Sequence, residues 1–138
     1  MVVDKVGLDI ESEQAIVLLR DVQGTTMLPI WVGPAEATAI ALSIQGVKAS
    51  RPLTCDLLKD VIDHLEARVV MVLVSDLKEH TFYARLVLRR SEGNVEVDCR
   101  PSDAIALALR AEAPIYVSEA VVAEAGVPAE QEGAGPVH

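Results

Sequence analysis

The sequence predicts an α+β fold of duplicated β-β-β-α units, with the two repeat helices buried between strand layers. Three observations predict it. Short aliphatic and β-branched segments come in two groups of three. Each group leads into an Ala/Leu-rich stretch that opens on proline, whose missing N–H would be unsatisfied in a first helical turn anyway. The two groups also align without a gap. Pro34-Ala-Glu-Ala-Thr-Ala-Ile-Ala-Leu42 lies over Pro101-Ser-Asp-Ala-Ile-Ala-Leu-Ala-Leu109, with proline, three alanines and the final leucine coinciding and Glu36 over Asp103. The match points to an internal duplication. Chance likeness between two Ala-rich helices is the other source of such a match, because alanine is the best helix former.

Val2 to Asp9, Ala15 to Asp21 and Met27 to Val32 read as three antiparallel strands, divided by the polar pieces Glu11-Ser12-Glu13 and Gln23-Gly24-Thr25. Gly33-Pro34 then opens a helix that stops at Gly46, a residue suited to the left-handed position just past a helix. In Thr54 to Ala67, Leu57, Leu58, Val61, Ile62 and Leu65 fall on one stripe, and Lys59, Asp60, Asp63 and Glu66 take the other. That is a surface helix, with Thr54 as its N-cap. Arg68 to Asp76, Thr81 to Arg89 and Asn94 to Cys99 are the second strand group, and Pro101 to Ala111 the second repeat helix. Both repeat helices are apolar nearly all round, the mark of a helix buried on all sides. Pro114 to Val117 reads as a short strand, and Ser118 as the cap of a last helix ending near Gly126. The domain is expected to span residues 1–127, and residues 128–138, rich in Gly and Pro, to form a disordered tail.

The 138 residues suit one domain, and 51% hydrophobic against 24% charged residues excludes disorder for the bulk. A net charge of -9 argues against sequence-blind adhesion to nucleic acid or to anionic membranes, so any phosphate contact must be local. Only 3% of residues are aromatic, too few for extended stacking on single strands. No apolar run is long enough to span a membrane, and MVVDKVGLDIESE has neither a basic start nor an apolar signal segment; a cytoplasmic location is expected. Cys55 and Cys99 form no CxxC and no zinc spacing, and read as small, reduced, buried thiols.

No phosphate loop, nucleophile elbow, HExxH or EF-hand is present. What stands out is polar residues at strand-to-helix junctions, where helix N-terminal amides can receive an anion. In Asp98-Cys-Arg-Pro-Ser-Asp103 two carboxylates could hold a hard cation while Arg100 forks onto a phosphate. The structural alternative is that Asp103 complements the helix dipole and Arg100 pairs with Asp98. In Arg51-Pro-Leu-Thr-Cys-Asp56, Arg51 could meet a phosphate and Asp56 add a carboxylate; Thr54 and Asp56 could equally just cap a helix. Glu36 is a fourth carboxylate, with the same dipole role as its alternative. Of the histidines, His64 lies at a polar helix edge and His138 in the tail, which leaves His80 as the one to consider for acid–base work, against a solvated turn position.

At these residues the chain resembles the bifunctional nuclease domain family, described as acting on both DNA and RNA. The matching stretches are LPIWVGPAEATAIAL, RPLTCDLL, HTFYARL and VDCRPSDAIALALRAEAPIYV, which together cover most of Leu28 to Val117. The resemblance implies an α+β fold, often a homodimer, and nuclease activity. The family pattern usually has His where this chain has Cys55, and a thiol is a poor ligand for magnesium.

The resulting expectation is metal-assisted phosphodiester hydrolysis. Glu36, Asp56, Asp98 and Asp103 would hold Mg2+ or Mn2+; Asp98, Arg100 and Asp103 would carry the chemistry; Arg51, Thr54, Arg100 and Ser102 would bind a nucleic-acid substrate without tight duplex binding. The alternative is a non-catalytic regulatory or interaction domain that dimerises or binds a small anion. A homodimer is expected in either case, because so many aliphatic strands leave an apolar face or edge uncovered.

Overall fold

The computed structural model describes residues 1–9 and 14–128, so the expected tail beyond Pro128 lies outside the described residues. Among the described residues the fold is α+β, with two four-stranded sheets and four helices. The first sheet runs β1(Val2–Asp9), β2(Gln14–Arg20), β3(Thr26–Val32), and the helix α1(Pro34–Gln45) follows. After α2(Thr54–His64) come β4(Arg68–Lys78), β5(Thr81–Arg90), β6(Gly93–Cys99) and α3(Pro101–Ala111). The chain then adds β7(Ile115–Val117), α4(Glu119–Ala125) and β8(Val127–Pro128).

The sheet orders are β1-β2-β3-β8 and β6-β5-β4-β7. All neighbours pair antiparallel except β4 and β7, where Val72 to Val74 run beside Ile115 to Val117. The fourth strand thus joins the third strand of one group and the first strand of the other. Pro29 is tolerated within β3 because β8 covers that strand's outer edge only at Thr26 and Met27. Pro128, assigned by composition to the tail, pairs with Thr26, because the chain leaving α4 runs back along β3.

The helices lie between the sheets: α1 packs on β1 and β2, α3 packs on β4 and β5, and the two pack on each other. Pro34 and Pro101 open them as expected, and Gly46 closes α1 in the left-handed conformation at φ 70°. They differ in burial. In α3 every residue from Ala104 to Ala108 is buried, whereas α1 buries Ala37 and Ile40 and leaves Pro34, Ala35, Thr38 and Ile44 exposed. An apolar circumference therefore does not place α1 inside on all sides, because its outer face has no neighbouring layer. Ser118 caps α4 by accepting from the Val121 N–H.

The second helix departs further. Its N-cap is Leu53, so Thr54 is already helical, and it ends at His64, with Glu66 in a left-handed conformation at φ 62°. Of its apolar stripe only Ile62 is buried, while Leu57, Leu58, Val61 and Leu65 are exposed. Asp56, from the polar side, turns inward instead.

Candidate functional site

Three of the expected carboxylates share one local role. Glu36, Asp56 and Asp103 each occupy the third position of a helix, where a negative side chain opposes the positive end of the helix dipole. What each then pairs with separates them.

Arg100, the N-cap residue of α3, reaches forward to its own helix. Its Nε and Nη2 donate to Asp103 Oδ2 and Oδ1 at 2.8 and 3.1 Å, a two-pronged charge-assisted pair. Glu36 Oε2 lies 3.8 Å from the same Nη2. A Cβ at Gly33 would fall on the Glu36 carboxylate, so the glycine before α1 leaves the space into which Glu36 folds back. The guanidinium, itself mostly exposed, thus bridges the first-turn carboxylates of α1 and α3. Its attraction to Asp103 strengthens its hold on its proton.

Asp98 does not join them. It pairs across the sheet with Arg85, while its neighbours Val97 and Cys99 pair with Leu86 and Ala84, so strand alternation sends Asp98 to the opposite face. It takes no part in the salt bridges of Arg100, which the structural alternative had assigned to it. Asp56 is committed elsewhere: Oδ2 accepts from the Leu53 N–H at 2.9 Å, and Oδ1 accepts from Arg110 Nε at 2.5 Å. The Leu53 N–H first, against burial, and then Arg110 hold its carboxyl below the usual range.

Arg110 is the residue that sequence reading missed. Its signal was a lone cation on an otherwise apolar helix, Ala-Leu-Ala-Leu-Arg. The remaining expected groups are dispersed. Arg51 is exposed before α2, and His80 sits with Glu79 in a β4–β5 turn where both residues are left-handed, at φ 66° and 50°. His64 Nδ1 lies 2.7 Å from the Asp60 carbonyl oxygen.

Glu36, Thr54, Cys55, Asp98, Arg100, Ser102 and Asp103 nevertheless border one cleft of about 1120 Å³ between α1, α2, α3 and β5–β6. Its walls are apolar, with Leu58, Ile62, Phe82, Leu86, Leu88 and Val97 prominent, and Glu36, Arg100 and Asp103 stand together on its border. Among the described residues no three His, Cys, Asp or Glu side chains converge as metal ligands would. The donor set does not fit Mg2+ or Mn2+: the place between Glu36 and Asp103 is filled by Arg100, Asp98 faces away, and Asp56 serves Arg110.

A profile of the bifunctional nuclease domain matches residues 17–130, a segment that leaves out β1 and contains every residue lining the cleft. The chain belongs to the bifunctional nuclease domain family. An uncharacterized Mycobacterium tuberculosis protein is 49% identical over 124 residues, covering 88% of this chain and 74% of that one. Bifunctional nuclease 2 of Oryza sativa subsp. japonica is 30% identical over 118 residues, and bifunctional nuclease 2 of Arabidopsis thaliana 31% over 108. This chain covers 83% and 76% of itself in those matches but spans only 36% and 33% of the plant proteins.

For this family member the two cleft thiols are poor nucleophiles. Burial, with Asp98 and Asp103 adding to it, pushes Cys99 up to about 11. Burial also raises Cys55, with Arg110 opposing and Asp56 reinforcing the shift. No helix among the described residues is long and apolar enough to cross a membrane.

Proposed function

We propose that this chain is a nuclease of the bifunctional type, cleaving phosphodiester bonds of DNA and RNA at the charged border of the cleft. The observation that carries the reading is Arg100, an exposed guanidinium at the start of a helix, held between Glu36 and Asp103 within the family-matched segment. A phosphate is a bidentate acceptor for arginine just as a carboxylate is, and the first amides of α3 reinforce it. When Arg100 turns to a phosphate, Asp103 loses its partner and becomes a free carboxylate beside the phosphorus. Asp103 then accepts a proton from an attacking water as the new P–O bond forms, and the leaving oxygen departs and takes a proton from solvent. Ser102, in the same turn, lines the substrate's path, and Thr54 does so from α2. Before substrate arrives, Arg100 pairs with Glu36 and Asp103, and Arg110 with Asp56, so the route relies on these side chains alone.

A second reading is a non-catalytic regulatory or interaction domain. The apolar walls favour it, since phosphodiester substrates need little apolar surface. Purified wild type and Asp103→Asn, assayed on single-stranded DNA and RNA with Mg2+, with Mn2+ and with EDTA, separate the two. The nuclease reading expects cleavage by wild type and a loss of about 100-fold or more in the variant, the scale of a missing general base. Equal rates, or no cleavage by wild type, leave the regulatory reading. Cleavage abolished by EDTA would restore the divalent ion and remove the metal-free route.

The two β-β-β-α halves we attribute to duplication, supported by the equivalent first-turn positions of Glu36 and Asp103 on one guanidinium. A homodimer working in the cytoplasm completes the proposal.

A further inference from the structure

The exposed stripe of α2 contradicts the ordinary rule that an amphipathic helix turns its apolar face to the core. Its rotation is fixed by polar contacts. Asp56 binds the Leu53 N–H behind it and Arg110 of α3, and these bonds bring the Cys55, Asp56 and Ile62 side of the helix against the body. Leu57, Leu58, Val61 and Leu65 point away, with 57%, 41%, 44% and 71% of their surface open. No charged side chain interrupts them. Thr54, Leu58, Val61 and Leu65 follow one another at spacings of four, three and four residues, the repeat of a coiled-coil seam. Such a seam is self-complementary: the same row on a second helix fills it.

We propose that α2 is the homodimer interface, two copies packing their Thr54–Leu58–Val61–Leu65 seams against each other. The area supports a second copy as occupant. The four exposed side chains amount to roughly 400 Å² of apolar surface, the scale of the largest patch a typical monomer shows. Two such patches with their rims bury roughly 1,000 Å² in total, the lower bound for a specific interface. Other exposed apolar side chains, such as Trp31 on β3 and Ile44 on α1, are spread over separate elements, and β6, the free edge of its sheet, exposes Val95 and Val97. It suits pairing with another copy poorly, because antiparallel β6 strands would bring the acidic Glu96 and Asp98 side chains of two copies together. Leu58 belongs both to the seam and to the cleft wall, so the interface is continuous with the candidate site, and a second copy closes the cleft on the α2 side. The inference does not rest on the nuclease reading, since it needs no catalytic group.

Sedimentation equilibrium at micromolar concentrations tests it. Wild type should weigh twice the 14.8 kDa chain and associate more tightly as salt rises, because each copy carries a charge of -9 and the seam is apolar. Val61→Lys/Leu65→Lys should be a monomer with unchanged circular dichroism, whereas Asp60→Ala/Asp63→Ala, on the polar side, should remain a dimer. Should the lysine pair unfold, Val61→Ala decides: its dimer dissociation constant should rise roughly tenfold or more. A monomeric wild type, a dimeric lysine variant, or an unchanged constant in Val61→Ala overturns the interface. None of these readings uses cleavage, so failure of the interface and failure of the nuclease proposal are distinguishable.

Discussion

Arg110 donates from Nε to Asp56 Oδ1 at 2.5 Å and from Nη2 to the Ala39 carbonyl at 3.2 Å, so one side chain of α3 holds both α2 and α1. Its Nη1 bonds the Ala106 carbonyl, and only 11% of the side chain is exposed. Hydrogen bonds of charged groups are worth more than neutral ones, and removing one partner strands the other. Arg110→Met keeps the apolar stem and loses all three bonds. The expected cost is about 2 kcal/mol, a fall in thermal midpoint of roughly 5 °C or more, read by calorimetry.

The same pair sets a pH dependence. Asp56 has a folded pKa below its unfolded one, so its stabilisation is fully present above the unfolded value and is lost as pH falls through the folded value. Wild type should therefore lose midpoint temperature steeply below about pH 4. Asp56→Asn should be less stable at neutral pH and show a shallower acid decline. Parallel curves for the two proteins between pH 2 and pH 6 would remove Asp56 from the acid response.

Arg68 and Arg89 stand directly opposite one another on β4 and β5, both exposed, and like charges so placed repel. Arg89→Glu converts the repulsion to attraction. A gain of about 0.5 kcal/mol is expected in urea denaturation, shrinking in high salt.

Cys99, with its thiol pushed up to about 11, should react slowly with iodoacetamide at neutral pH. In the Cys55→Ser background the rate should rise about tenfold per pH unit, without levelling below pH 10. A plateau near pH 8 would mean that neither burial nor the neighbouring carboxylates control the thiol.

Much of this arrangement was written locally and some of it was not. Pro34 and Pro101 act through their fixed φ and missing N–H, and Gly46 and Ser118 through bonds within a few residues, so the ends they mark are where the sequence puts them. Glu36 lies over Asp103 in the alignment, but their meeting at Arg100 is a contact between separate helices that the alignment does not state. Asp98 was misjudged because its face depends on β6 register, a relation with β5 rather than with its own neighbours. For α2 the apolar stripe is located by its spacing, but spacing does not say which way it faces. Rotation about the helix axis is decided by Arg110, far away in sequence, and the stripe carries no information about which layer is absent.

α1 and α3 give the sharpest contrast between similar sequence and unequal surroundings. Ala41 and Ala108 occupy equivalent places in the alignment, yet Ala108 is fully buried and Ala41 only partly so. Alanine at position 108 lets α3 lie between β4, β5 and α1, and a larger side chain there must displace one of those layers. Overfilling a packed interior typically costs 1–3 kcal/mol through shifted backbone and unfavourable rotamers. Ala108→Leu should fall in the upper part of that range, about 3 kcal/mol, because three layers meet the new side chain. Ala41→Leu, in a helix whose outer face has no neighbour, should cost less than about 1 kcal/mol, since the added atoms can lean toward solvent. Urea unfolding of both variants against wild type measures the difference. Equal costs would mean that α3 is no more tightly enclosed than α1, against the placement of α3 at the centre of the fold.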